Sequence, residues 1–197
     1  MDPEERKKQI LSVAKTLFSQ KGYYQTQISD IQKEAGVARG TIYLYFKSKD
    51  NIFENILEEF QLQWSLVLKQ HAPGEKGDLD IFRFRIKKTL EFFAKNPDYC
   101  NILLRIGLGL GENLDPIIRD FNRKMLELIR NYILEAVDAG MFRENIDIDL
   151  TSNLLSGAFM RMAYQYTIME KNDLRNLNIE NLTERYVNTF AYGIFNK

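Results

Sequence analysis

The sequence predicts an all-α protein of about nine helices, and three observations carry that expectation. Apolar residues recur at three- and four-residue spacing through most of the chain. Residues that start and stop helices punctuate it at regular intervals. Alternating polar and apolar runs, the mark of half-buried strands, are nearly absent.

Asp2-Pro3-Glu4-Glu5 offers a cap, a proline in the first turn and a glutamate at the third helical position. Ile10, Ala14, Leu17 and Phe18 follow at helical spacing, and Gly22 is the stop. Thr26 is positioned to cap a short second helix carrying Ile28, Ile31 and Ala35, which ends at Gly36. A third short helix is expected over about Arg39–Phe46. Ser48 caps a fourth, with Ile52, Phe53, Ile56, Leu57 and Phe60 as its apolar face, running to about Gln70. His71 to Asp78 is rich in turn formers and forms the clearest break. Further helices are expected near Leu79, at Asn96-Pro97 and at Asp115-Pro116, each of the last two pairing a cap with a proline. The helix from Pro116 should end near Gly140. Another is expected from Asp149 to Glu170, and a last one from Ile179 to Phe195.

The 197 residues suffice for one or two domains with a real core. Hydrophobic residues make up 45% and charged ones 27%, which excludes a disordered polyelectrolyte. The 27 basic and 27 acidic side chains cancel, and that balance at first argues against a nucleic-acid binder. The distribution says otherwise. Residues 1–50 hold nine basic and six acidic side chains, a net +3, which leaves −3 for residues 51–197. A polar N-terminus, a single cysteine and the lack of a long apolar run lead to the expectation of a cytoplasmic protein without a membrane partner.

The informative stretch is Thr26 to Lys49, two short helices joined by Ala35-Gly36-Val37-Ala38, a helix-turn-helix arrangement. Gly36 supplies the left-handed conformation that ends the first helix. Ile42 and Phe46 turn one face of the second helix inward, so the opposite face displays Arg39, Gly40, Thr41, Tyr43 and Tyr45. A cation, bare backbone, a hydroxyl and two phenols suit phosphates, base edges and thymine methyls. Leu44 has no clear role and is either groove-facing or half-buried.

Residues 6–53 resemble the DNA-binding domain of the TetR/AcrR (tetracycline-repressor) family of bacterial regulators. The resemblance rests on Ile10, Ala14, Leu17, Phe18, Lys21-Gly22-Tyr23, Thr26, Ile28, Asp30-Ile31, Ala35-Gly36-Val37, Gly40-Thr41-Ile42-Tyr43, Tyr45-Phe46-Lys47-Ser48-Lys49 and Ile52. Ala38 departs from the pattern, since many members have serine there. The resemblance implies a homodimer that places one recognition helix in each of two successive major grooves of a palindromic double-stranded DNA operator. Carried over by position, Arg39 and Gly40 are base-edge candidates, and Thr41, Tyr43 and Tyr45 reach phosphates, sugars or thymine methyls. Thr26 and Gln27 meet phosphate at the positive end of their helix, and Lys49 clamps the backbone. The domains are then residues 1–50 for DNA binding and 51–197 for ligand binding and dimerisation.

Methionines and aromatics gather in the later part of the chain, a composition that lines adaptable apolar cavities and also fills ordinary cores. Phe92, Leu103, Ile106, Phe121, Met125, Phe159 and Met162 are candidates to face a hydrophobic small-molecule effector. The helices over 149–170 and 179–195 carry wider apolar surfaces than one core face needs. Similar helices in the family form a four-helix dimer interface, which makes Leu154, Ala158, Tyr186, Phe190 and Ile194 interface candidates. Gly107, Gly109 and Gly111 lack the setting of a phosphate loop and suggest a deformable segment instead. One histidine, His71, leaves no multi-His metal site and no His-based triad, and no cofactor is implied. Cys100 is expected to be a buried, inert thiol, with redox sensing as the other reading.

The function expected is a ligand-responsive transcriptional regulator, a repressor in most of this family, released from its operator by the effector. The alternative is a helical lipid- or protein-binding module that does not bind DNA.

Overall fold

The computed structural model describes residues 2–70, 77–106, 114–170 and 173–192. Among them are nine α-helices and no strand: α1 (Pro3–Lys21), α2 (Ile28–Ala35), α3 (Arg39–Tyr45), α4 (Lys49–Leu68), α5 (Asp78–Lys95), α6 (Pro97–Ile106), α7 (Asp115–Asp138), α8 (Ile148–Tyr164) and α9 (Ile179–Tyr192). Gly107, Gly109, Gly111, His71 and Ile194 lie outside the described residues, and so does the expected end of the last helix.

Most boundaries follow from local chemistry. The Asp2 amide donates to Glu5 Oε2 at 3.3 Å, so the acidic first turn closes on itself. Ser48 Oγ accepts from the Asn51 amide at 3.1 Å, the expected cap of α4. Gly140 adopts φ 74° at the end of α7. α6 opens at Pro97 directly after Asn96, as expected, and Asn96 also closes α5, its side-chain amide donating to the Phe92 carbonyl at 2.8 Å. Two expectations are corrected. Gln27, not Thr26, occupies the cap of α2, and its backbone amide donates to Asp30 Oδ2 at 3.0 Å. The single helix expected over 149–170 is α8, capped by Asp147, followed by a π-helical segment at Gln165–Met169.

The chain divides into two compact units. The first comprises Met1–Gln61 and Asp98–Phe121; the second comprises Leu62–Pro97 and Asn122–Lys197. The first unit therefore extends beyond residue 50 and takes in most of α6.

In the first unit Ile10, Ala14, Ile31, Ile42, Ile52, Ile56 and Phe60 are fully buried. Phe18, Tyr23 and Phe53 pack beside them in tilted and edge-on pairs with ring centroids 5.2–5.9 Å apart. Phe60 packs edge-on to Tyr99 of α6 at 5.3 Å. A polar seam joins α6 to α1: Thr16 donates to Asp98 at 3.2 Å, Asn101 donates to Ser19 at 3.2 Å, and Lys15 lies 4.3 Å from the Tyr99 ring centre. Cys100 is 1% exposed, as a packed thiol is.

The second unit is built on Phe82, Ile86, Leu90, Ile133, Leu155, Leu182 and Val187. α5 packs along α9, and its rim carries the Arg83–Glu184 pair at 2.7 Å and a Lys87–Glu180 pair.

Ile42 makes the sharpest test of the first core. It is fully buried on a helix of seven residues, so Ile42→Ala should cost about 2–5 kcal/mol in denaturant unfolding. A loss below about 1 kcal/mol would contradict this packing.

Candidate nucleic-acid interface

The turn between α2 and α3 sets the geometry. Gly36 sits at φ 62°, ψ 35°, a left-handed conformation that a side chain with a β-carbon adopts at a cost. Around it the Gly36 amide donates to the Lys33 carbonyl at 3.3 Å and the Val37 amide donates to the Gln32 carbonyl at 3.1 Å. Those two bonds make a Schellman turn, which satisfies the last carbonyls of α2. Gln9 of α1 adds a clamp, its amide donating to the Ala35 carbonyl at 3.1 Å.

α3 leaves this turn with Ile42 inside and Phe46, just past its end, 1% exposed. Arg39, Gly40 and Tyr43 are on the outer surface, and Thr41 and Tyr45 lie half-buried at its edges. The Arg39 guanidinium carbon lies 5.8 Å from the centre of the Tyr43 ring, one turn along. α3 has no side-chain carboxylate, and the neighbouring Lys33 and Lys47 are exposed. This surface is an open, cationic and aromatic helix face with its polar groups unspent.

Two expected contacts are placed differently. Thr26 is 0% exposed, and its hydroxyl donates to the Gly22 carbonyl at 2.8 Å. Its side chain fixes the α1–α2 turn and is withdrawn from any phosphate. Gln27, beside it, is exposed at the start of α2, where its backbone amide is already engaged by Asp30 and its side chain is the group within reach of a phosphate. Lys49 is half-buried, and its ammonium donates to the carbonyls of Tyr23 and Thr26, both at 3.0 Å, while lying 4.1 Å from the Tyr23 ring centre. Burial pulls its pKa down, and the Asp50 carboxylate offsets part of that. The Tyr23 hydroxyl donates to Asp50; burial first, and this acceptor second, push the phenol well above the ordinary tyrosine range. Lys49 thus ties two backbone carbonyls together, and its remaining N–H is the one that can serve a phosphate.

Leu44, groove-facing or half-buried from the sequence, is not half-buried. It is 81% exposed, more than any other large apolar residue among those described, and lies on the outer face of α3.

The effector and interface candidates fall into both units. Phe92, Leu103 and Phe121 are packed cores, each under a tenth exposed. Met125, Phe159 and Met162 are half-buried in the second unit, with Phe159 stacked on Tyr186 at 4.8 Å. Nothing is described for the Ile106 side chain. Within the second unit, an apolar cleft of about 570 Å³ is bordered by Phe82, Phe142, Leu155 and Phe190. A groove of about 480 Å³ runs past Ala158, Met162, Tyr186 and Phe190. Leu150 and Leu154, one turn apart on α8, are each 55% exposed.

Residues 10–56 match the family described as bacterial regulatory proteins, tetR family. The HTH-type transcriptional repressor KstR2 of Mycolicibacterium smegmatis is 37% identical over 156 residues, covering 75% of this chain and 73% of that protein. The fatty acid metabolism regulator protein of Bacillus subtilis is 24% identical over 193 residues, covering 96% of this chain and 95% of that protein. The crystal structure of FadR from Bacillus subtilis in complex with stearoyl-CoA shares the fold at a TM-score of 0.80, with 22% identity and coverage of 95% and 98%.

The two lysines at the end of this surface separate by role. Lys49→Ala leaves two turn carbonyls without their donor and should lower stability by about 1–3 kcal/mol, toward the lower end because the site is part-exposed. Lys47→Ala, at an exposed position, should leave thermal unfolding unchanged while weakening binding to any duplex. Equal melting temperatures for the two variants would contradict the assignment.

Proposed function

The chain belongs to the TetR family of DNA-binding transcriptional regulators, and on that premise we propose that it is a homodimeric repressor released from a palindromic operator by a hydrophobic effector. The observation that carries the reading is α3: its inner face is anchored by Ile42, and its outer face presents Arg39, Gly40 and Tyr43 with no competing carboxylate. Arg39 supplies the planar fork that guanine N7 and O6 accept. Gly40 lets the backbone approach, and Thr41, Tyr43 and Tyr45 flank it with hydroxyls. Gln27 and Lys47 hold the phosphates, and Lys49 acts chiefly by fixing the turn beneath them.

Two copies are needed to span a palindrome whose half-sites lie one helical turn apart. The exposed Leu150 and Leu154, the half-buried Tyr186 and Phe190, and the groove along Ala158 and Met162 offer an apolar α8–α9 surface for the second copy. An acyl chain carried as a thioester is the effector class favoured. It suits the apolar second unit, and a fatty acid regulator of Bacillus subtilis shares the fold with stearoyl-CoA bound. Release is a population shift: the effector binds better to dimers whose recognition helices no longer match successive grooves.

Duplexes selected from a random pool test the reading by fluorescence anisotropy. Affinity should fall steeply with salt, a long-chain acyl-CoA should release the duplex, and Arg39→Ala should narrow the gap between selected and scrambled duplexes by about 1–3 kcal/mol. Absence of binding at low salt would instead favour a helical module that does not bind DNA. For the dimer, Leu154→Asp places a charge on a surface meant to be buried. Sedimentation should show a dimer for the wild type and a monomer for the variant, with melting of the monomer still cooperative; a variant that stays dimeric removes α8 from the interface.

A further inference from the structure

α3 reads bases with an unusual set of side chains. Its seven residues, Arg39 to Tyr45, include no Asn, Gln, Asp or Glu. Adenine recognition by a side-chain amide, and cytosine recognition by a carboxylate, are therefore unavailable to this helix. Arg39 carries the one fork suited to guanine. The rest of its discrimination has to come from hydroxyls or from apolar contact.

The outer face is organised as two columns, each one helical turn long. Arg39 and Tyr43 form the first, with guanidinium and ring 5.8 Å apart. Gly40 and Leu44 form the second. A helical side chain leans toward the N-terminus over the preceding turn, which for Leu44 is the turn that holds Gly40. A β-carbon placed on Gly40 would meet nothing within 4 Å. The backbone beneath Leu44 is thus bare, and the helix can approach the groove floor closely. One exposed leucine on a protein surface is ordinary. At 81% exposure on the face that carries the arginine fork, this one has a place in the groove. The apolar group that B-form DNA presents along the major groove is the C5-methyl of thymine.

We infer that Leu44 reads the 5-methyl group of a thymine in each half-site, so that α3 specifies its operator through a guanine at Arg39 and a thymine at Leu44. The inference rests on the proposed reading of α3 as the groove-reading helix. It makes Leu44 a specificity-determining residue whose energy is burial of methyl surface rather than hydrogen bonding.

Uracil replaces thymine with the loss of that methyl alone, which makes the test chemical. Duplexes are selected with the full-length protein, and each thymine is then replaced by uracil in turn. At one thymine per half-site the wild-type protein should lose roughly fourfold in affinity per methyl, the loss for one buried methyl group. Leu44→Ala should bind the thymine and uracil duplexes equally and should melt with the wild type. Uracil effects that are the same in wild type and Leu44→Ala, or no uracil effect at any position, overturn the inference while DNA binding stands. Failure to select any duplex at low salt overturns the groove reading as well, and the inference with it.

Discussion

The constraint on which the DNA-facing surface depends is the left-handed residue between α2 and α3. Gly36 ends one helix and starts the chain toward the next in a single step, and the two Schellman bonds around it engage the Gln32 and Lys33 carbonyls while Gln9 engages that of Ala35. With that turn set, Ile42 and Phe46 point into the core, and the identity of every outward residue of α3 follows from helical spacing. A helix of seven residues has little stability of its own. Its orientation comes from those buried anchors.

The support beneath the turn is electrostatic as well as apolar. Lys49 and the Tyr23–Asp50 pair form a small network in which a cation faces two backbone carbonyls and a phenol faces a carboxylate. Removing one member leaves another polar group short of a partner, which is why such networks act as units. α6 adds a second layer: Asp98 and Asn101, three residues apart, each meet a hydroxyl of α1. The first unit therefore contains an element distant in sequence, and a perturbation of α6 acts directly on α1.

Much of this was legible in the sequence because it is local. The position of Gly36, the inward pair Ile42 and Phe46, and the Ser48 cap follow from turn chemistry and a period of 3.6. What was not legible depends on distant neighbours. Threonine caps helices better than glutamine does, yet the Gly22 carbonyl captures the Thr26 hydroxyl and leaves Gln27 at the cap. Lys49 reads as a free cation until Tyr23 and Thr26 are folded beside it. The bonds of Asp98 and Asn101 to α1 join residues far apart in the chain, which no local pattern marks. Spacing leaves Leu44 between a groove-facing and a half-buried place, and only the folded helix shows it 81% exposed. Composition makes Phe92, Leu103 and Phe121 candidates to face an effector, and all three are buried. Composition does not distinguish a core wall from a cavity wall.

The central claim is that α3 meets the major groove with Arg39 on a guanine. Methylation interference on a selected duplex tests it most directly, since dimethyl sulfate modifies guanine N7 in the major groove and adenine N3 in the minor groove. The account predicts that N7 methylation of one guanine per half-site blocks the wild-type protein, and that Arg39→Ala no longer distinguishes that guanine from its neighbours. Interference confined to adenine N3 would place the protein in the minor groove and contradict the account.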